Sequence, residues 1–146
     1  MDIVWLKRDG RIHDHAPLST AIKQWRIGMQ KNKVIILYCY EPDQLAEYSV
    51  YGSHVEFCSE GLVDLDQRLA SGLDVKVGSV SDVCDYEFQV LTVCYAGVVF
   101  TLQQILSQID CGIRRVLTHM ETGHLRSYAR DKGVRRWCRN NGVQII

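Results

Sequence analysis

The sequence has no excess charge of either sign. Its 146 residues include 17 lysines and arginines against 17 aspartates and glutamates, so the formal net charge is zero. No whole-molecule field therefore attracts nucleic acid or an anionic membrane, and a polyanion would need a local patch. No apolar run approaches membrane-spanning length and no signal peptide is visible, so we expect an intracellular, by default cytoplasmic, protein without membrane contact.

Paired cysteines and glycine-rich phosphate loops are also missing. The six cysteines form no Cys-x-x-Cys pair and have no His-x-x-x-His partner, which excludes the common zinc sites. They stand singly among apolar neighbours, which predicts buried thiols of a reducing compartment, and a disulfide is left open only for Cys84 and Cys94. Neither Gly-x-Gly-x-x-Gly nor Gly-x-x-x-x-Gly-Lys-Ser/Thr occurs, so no phosphate-binding loop is indicated.

The chain has the length of one domain, and along it short apolar runs typical of strands alternate with segments whose apolar residues recur at helical spacing. Short β-branched or continuous apolar runs predict five strands, at residues 2–6, 34–40, 74–77, 114–117 and 143–146. Helical spacing predicts four helices between them, at about residues 14–28, 53–71, 101–112 and 125–140. Strands alternating with helices imply right-handed βαβ units and hence an α/β fold with a doubly wound parallel sheet.

Polar residues at the predicted helix starts suggest caps. Asp14 is placed to cap the first helix, Ser53 with Glu56 has capping-box spacing, and Thr101 with Gln104 repeats that spacing.

Residues 81–98 do not fit the alternation. They are aromatic and β-branched, yet they lie where only a short connection is needed. We predict an added strand or hairpin along the outer edge beside the third strand, with residues 86–95 as its core. A poorly ordered excursion is an equal alternative.

Two polar turns carry most of the chemistry. Residues 7–11 follow the first strand and residues 118–125 follow the fourth, and both contain charged groups beside a glycine. Because α/β proteins build sites where strands empty into such turns, we expect the two turns to face each other. We predict no metal site there, interpret His119 and His124 as ordinary hydrogen-bonded histidines, and interpret His13 and His15 as turn residues.

Three segments together resemble the N-terminal α/β domain of the DNA photolyase and cryptochrome family. They are residues 5–15 (WLKRDGRIHDH), 37–42 (LYCYEP) and 118–124 (THMETGH), the last followed by YARD at 128–131 and WCR at 137–139. The chain departs from the pattern at Gly10, Met120 and His124. Joining Val80 to Val99 would restore a family-like segment, which marks 81–98 as an insertion or as translated non-coding sequence.

The resemblance implies a Rossmann-like sheet of order 3-2-1-4-5 that holds an antenna chromophore: a folate, a deazaflavin or a flavin. It also implies a C-terminal helical domain with FAD and the DNA-lesion pocket, for which these residues contain no counterpart. We therefore expect a fragment or truncated form that is not catalytic alone. The expected partner is that FAD-binding domain, and we expect no direct DNA binding by this chain. The apolar face that the partner domain would cover is expected to promote self-association when it is uncovered.

In a sheet of this order, the crevice lies beside the first and fourth strands. The expected cofactor-binding residues there are Lys7, Arg8, Glu41, Glu121 and His124.

For the cations of residues 7–11, the functional interpretation is an anion clamp, and the favoured alternative is local pairing with Asp9, Asp14 or Glu121. Glu121 could accept hydrogen bonds from a pterin or flavin ring, or cap the last helix.

The last helix is rich in arginine and lysine around Tyr128 and Trp137. A basic helix can bind nucleic acid, but its charges are predicted to fall on several faces, which favours a solvated surface. Two other functions remain open for the whole chain: a nucleotide-binding α/β domain for ATP or an adenylate, and a protein-interaction module.

Overall fold

A computed structural model describes residues 1–27, 33–41, 52–73, 76–77, 88–94, 96–121 and 125–146, with backbone alone at 70–73, 76–77, 88–89 and 94. The strands are β1 (Asp2–Leu6), β2 (Val34–Tyr40), β3 (Lys76–Val77), β4 (Phe88–Cys94), β5 (Arg115–Leu117) and β6 (Gln144–Ile145). The helices are α1 (Ala16–Ile27), α2 (Gly52–Leu73), α3 (Val98–Gln108) and α4 (Leu125–Asn140). No helix within these ranges is both long enough and apolar enough to cross a membrane.

The strands form one sheet of order β3-β4-β2-β1-β5-β6, and all its neighbouring pairs are parallel. With β4 set aside, the five predicted strands follow one another as 3-2-1-4-5, so the predicted α/β fold is confirmed. The strand order reverses at β1, which lies between β2 and β5: successive strands are added on one side of β1 before β5 and on the other side from β5 onward. That reversal is where parallel sheets of this kind open a crevice.

The predicted added strand exists, but its predicted place was wrong. β4 lies within residues 81–98 and is a regular strand, which also excludes the poorly ordered alternative for residues 88–94. Instead of forming the outer edge it lies between β2 and β3, and it pairs with β2 along all seven residues. The reason is that β2 is apolar on both faces and needs a long neighbour, which the two-residue β3 cannot provide.

Side chains alternate along the central strands and fill two cores, one on each face of the sheet. Ile3 and Trp5 of β1 pack with α3 and α4, whereas Val4 and Leu6 pack with α1 and α2. The period of two along a strand produces this division. Helices on both faces make the sheet doubly wound.

The three predicted helix caps differ from the observed elements. Ser53 lies inside α2, which starts at Gly52. Asp14 has φ of 52°, which is unlike the extended backbone of an N-cap. The cap of α1 is His15, whose Nδ1 accepts a hydrogen bond from the Leu18 amide at 3.1 Å. Helix α3 starts at Val98 after Gly97, so Thr101 lies inside the first turn and donates its hydroxyl to the Gly97 carbonyl at 3.1 Å.

The prediction of buried thiols is wrong at two of the four described positions, because Cys58 is only partly buried and Cys111 is exposed. Cys39 and Cys138 are buried free thiols, but Cys111 is exposed in the turn after α3. A turn between a helix and a strand lies at the surface, whatever its apolar neighbours. The open question of a Cys84–Cys94 disulfide falls on Cys84, which lies outside the described residues.

Candidate functional site

The carboxyl ends of three neighbouring strands bring together most of the predicted site residues. Lys7 follows β1, Glu41 follows β2, and His119 and Glu121 follow β5. The two polar turns meet, because Lys7 Nζ donates to the His119 carbonyl at 2.6 Å and Arg8 Nε lies 3.6 Å from Glu121 Oε1. His124 lies outside the described residues.

Lys7 is an internal cation. Its side chain is buried, its Nζ also donates to Asp131 Oδ2 at 2.6 Å, and the same Nζ lies 4.5 Å from the centre of the Trp5 ring. Of the predicted local pairs, the one between Arg8 and Glu121 forms. Lys7 instead pairs with Asp131 of α4, which was not among the predicted partners. Breaking such a buried pair by removing one partner costs about 3–5 kcal/mol.

Arg130 of α4 joins the remaining acids. It donates to Glu41 Oε2 at 3.1 Å and to Glu121 Oε2 at 2.6 Å, and its Nε lies 3.5 Å from Asp131 Oδ1. Burial alone would lower the pKa of Arg130, but the hydrogen bond to Glu41 and the surrounding carboxylates raise it. The guanidinium also lies 5.0 Å from the centre of the Trp5 ring. Arg130 is therefore a permanently charged residue beneath the crevice that contacts three carboxylates.

Glu41 links Arg130 to α3. Its other oxygen, Oε1, accepts from the Val98 amide at 3.2 Å, which places a carboxylate at the positive end of the helix. With three cations (Lys7, Arg8, Arg130) and three anions (Glu41, Glu121, Asp131) the cluster sums to zero. We call these six residues the crevice cluster.

The crevice cluster is closed at its base and open at one edge. The Arg8 side chain is 77% exposed and Glu121 is 20% exposed, whereas Lys7 is 4% exposed. An exposed ion pair contributes about 0–1 kcal/mol, so a ligand could replace Arg8 as the partner of Glu121 at small cost. Separating the buried Lys7 from Asp131 would cost more free energy.

A second polar group lies beside the first turn. Asp9 Oδ2 is 3.1 Å from His15 Nε2 and 2.5 Å from His119 Nδ1, and Asp9 Oδ1 accepts from the Lys7 amide. Burial would raise the pKa of Asp9, but the hydrogen bonds from His15, the Lys7 amide and His119 hold it well below its usual range. His119 is hydrogen-bonded as predicted, whereas His15 is a buried cap and not a simple turn residue.

Asp9, His15 and His119 also have a composition that could hold a metal ion, with ligand atoms within 4.8 Å of one another. The hydrogen bonds of His15 argue against this use. Because its Nδ1 accepts from the Leu18 amide, Nε2 must carry the proton and donate to Asp9. A metal at Nε2 would require Nδ1 to be protonated against that amide. The three side chains fit a hydrogen-bonded triad better, and the absence of a metal site remains a prediction.

Sequence reasoning missed Arg130 and Asp131 as members of the site. The sequence interpretation places Arg130 among the solvated charges of the last helix and includes Asp131 only in the family-like segment 128–131. The available signal was their position in the first two turns of a helix that follows β5, because helical side chains lean back towards the helix N-terminus and so towards the ends of the strands.

The outer face of α4 forms an open groove of about 490 Å³ that begins at the crevice. It is lined by Met120, Glu121, Tyr128, Asp131, Lys132, Arg135, Arg136 and Arg139. We call it the basic groove. The charges of this helix fall on more than one face, as predicted, because Arg130 lies in the crevice cluster. Lys132, Arg135, Arg136 and Arg139, however, line one surface.

The sequence matches a family model described as DNA photolyase over residues 2–146. It is also similar to Cryptochrome DASH of Gloeobacter violaceus (strain ATCC 29082 / PCC 7421), with 30% identity over 121 residues. The aligned part covers 74% of this chain and 22% of that protein, so the chain spans about a fifth of the length of this curated relative.

Proposed function

Since this chain belongs to the DNA photolyase family, we propose that it holds an antenna chromophore at the carboxyl ends of β1, β2 and β5. The family binds chromophore cofactors; the chromophore proposed here is a folate, a deazaflavin or a flavin. Energy absorbed there would pass to FAD in a helical partner domain, in support of light-dependent DNA repair or blue-light sensing. The family match does not favour the ATP-binding or interaction-module alternatives.

The observation that carries this proposal is that the turns after β1 and β5 meet at the point where the strand order reverses. Glu121 and Arg8 form the accessible edge of the crevice cluster, and they are joined by an ion pair of 3.6 Å. Pterin and flavin rings present N–H donors beside carbonyl acceptors, which suit a carboxylate and a guanidinium respectively. The residues present therefore fit a ring of this kind.

The buried members of the crevice cluster have a different role in the proposal. Lys7 and Arg130 pair with Asp131, Glu41 and Glu121, and both lie over Trp5. Among these groups the buried Arg130 Nε has no hydrogen-bond partner. Lys7 and Arg130 are positioning residues, which fix the height of the Glu121 turn above the end of the sheet. Their pairing also explains how charged residues remain beneath a ring-sized ligand without an uncompensated charge.

The test is a titration of the purified chain with 5,10-methenyltetrahydrofolate, a deazaflavin and flavin mononucleotide. We expect one of them to bind, to add a near-ultraviolet or blue absorption band to the protein after gel filtration, and to raise the thermal midpoint. Glu121→Gln and Arg8→Gln should weaken that binding by about tenfold or less each, the range of a single polar contact. Arg11→Gln is the matched control, because Arg11 is an exposed arginine of the same turn whose side chain, among the described residues, bonds the Asp14 carbonyl and no carboxylate.

Two results would refute the proposal. One is that none of the three chromophores binds. The other is that the 146-residue chain alone, supplied with FAD and light, splits pyrimidine dimers, because the proposal assigns that chemistry to the helical partner domain.

A further inference from the structure

The basic groove contains more positive charge than its surroundings neutralise. Its two acids, Glu121 and Asp131, already pair with Arg130, and Asp131 also pairs with Lys7. Within the described residues, none of the four cations Lys132, Arg135, Arg136 and Arg139 forms an ion pair with a carboxylate. The lining of the groove therefore carries four cations against two anions that are occupied elsewhere.

The spacing of these cations adds a second observation. Lys132 and Arg136 are four residues apart, and so are Arg135 and Arg139, which makes each pair neighbours on the helix surface. Like charges at this spacing destabilise a helix. An anion lying between them would remove that repulsion, so the arrangement favours an anionic occupant.

The groove also has an apolar end next to the crevice. Met120 and Tyr128 are both more than half exposed there, and Lys132 Nζ lies 5.2 Å from the centre of the Tyr128 ring. From Tyr128 to Arg139 the helix advances 11 residues, or about 16 Å. The groove thus leads from the crevice, past an aromatic ring, to a row of cations.

We infer that the basic groove holds the anionic tail of the antenna chromophore, either a chain of glutamyl carboxylates or a phosphate group. This rests on the proposed function, which places the ring at Glu121, itself a lining residue of the groove. Carboxylates and phosphates are the natural partners of arginine. A chromophore that ends in a neutral chain would leave all four cations without a partner.

The test compares pairs of chromophores that share a ring and differ in the tail. One pair is the monoglutamate and pentaglutamate forms of methenyltetrahydrofolate, and the other is riboflavin and flavin mononucleotide. Affinities are measured by fluorescence titration at about 0.05 M and 0.15 M salt. For the correct ring, we expect the longer or phosphorylated tail to tighten binding about tenfold or more at low salt and less at high salt. The pair that shows this difference identifies the source of the tail.

The variant Arg135→Gln/Arg139→Gln should abolish most of the tail effect. Its matched control is Lys23→Gln/Arg26→Gln, which removes the same charge from the exposed surface of α1 and should leave the tail effect unchanged. Thermal unfolding of both variants should stay close to that of the parent chain, because all four side chains are on the surface.

Three results would overturn the inference in distinguishable ways. If a chromophore binds but its tail adds nothing, or if the control pair loses as much as the groove pair, the groove has no such role while the proposed function stands. If no chromophore binds, both fail together. If duplex DNA binds tightly and needs Arg135 and Arg139, the groove is a nucleic-acid surface instead.

Discussion

Removing the Lys7 ammonium tests whether the crevice cluster is a structural unit. In Lys7→Met the buried Asp131 carboxylate loses a partner at 2.6 Å, and the His119 carbonyl loses its donor at 2.6 Å. The side chains of Lys7 and Asp131 are only 4% and 10% exposed, so water cannot easily replace the lost contacts.

We expect Lys7→Met to lower the free energy of unfolding by about 3 kcal/mol, the lower end of the range for a broken buried pair. The lower end applies because Arg130 remains near Asp131, at 3.5 Å, and shares its charge. For a domain of this size, this corresponds to a fall of roughly 6–12 °C in the thermal midpoint. The control is Arg68→Met, which breaks a pair with Asp64 whose two side chains are each 57% exposed. That change should cost less than about 1 kcal/mol.

The assay is urea unfolding followed by circular dichroism, with thermal unfolding in parallel. A double variant, Lys7→Met/Asp131→Leu, should regain part of the lost stability, because it leaves no isolated buried charge. If Lys7→Met costs no more than Arg68→Met, or if the double variant is less stable than the sum of the two single changes predicts, the crevice cluster is not held together as described.

Three further predictions follow from other parts of the molecule. The pKa of Asp9 is lower in the folded chain than its unfolded value of about 3.9. The stabilisation from the Asp9 carboxylate is therefore present above that pH and is lost as the pH falls below it. Urea midpoints measured between pH 7 and pH 3 should fall less steeply for Asp9→Asn than for the parent chain. Of the four described thiols, Cys111 should react first with a disulfide reagent at pH 8, since burial raises the pKa of Cys39 to about 12 and of Cys138 to about 11; peptide mass spectrometry would contradict this by finding Cys39 or Cys138 labelled before unfolding. In β4, Leu91→Ala should destabilise by about 2–5 kcal/mol and the exposed Thr92→Ala by less than about 0.5 kcal/mol; equal urea midpoints for the two variants would argue against the central position of β4.

The sheet was predictable because its strands are short apolar runs separated by clear turns. Val34 to Leu37, for example, are all buried, as a continuous apolar run between polar turns implies. The same signal predicted an added strand or hairpin with its core at residues 86–95, as an equal alternative to a poorly ordered excursion, but it could not show which strand lies beside it. Neighbours in a parallel sheet are set by competition between pairing partners, and the sequence does not display the outcome of that competition.

The candidate site was predictable only in part. Lys7, Arg8, Glu41 and Glu121 follow strand ends, so topology alone brings them together. Arg130 and Asp131 reach the same place from a helix, where charged residues usually face water. Their partners are up to 124 positions away in the sequence, a separation at which no local pattern carries information. The cap of α1 was missed because histidine rarely serves as an N-cap, whereas aspartate commonly does.

The position of β4 has a consequence for shortened versions of this chain. A strand on the rim can be removed and leave the rest paired, but removal of β4 would strip seven residues of β2 of their hydrogen-bonding neighbour. The two residues of β3 are too few to close that gap. We therefore expect a chain without residues 81–98 to expose a long apolar backbone edge that recruits the same edge of another molecule, so that its failure would appear as aggregation and strand exchange between copies.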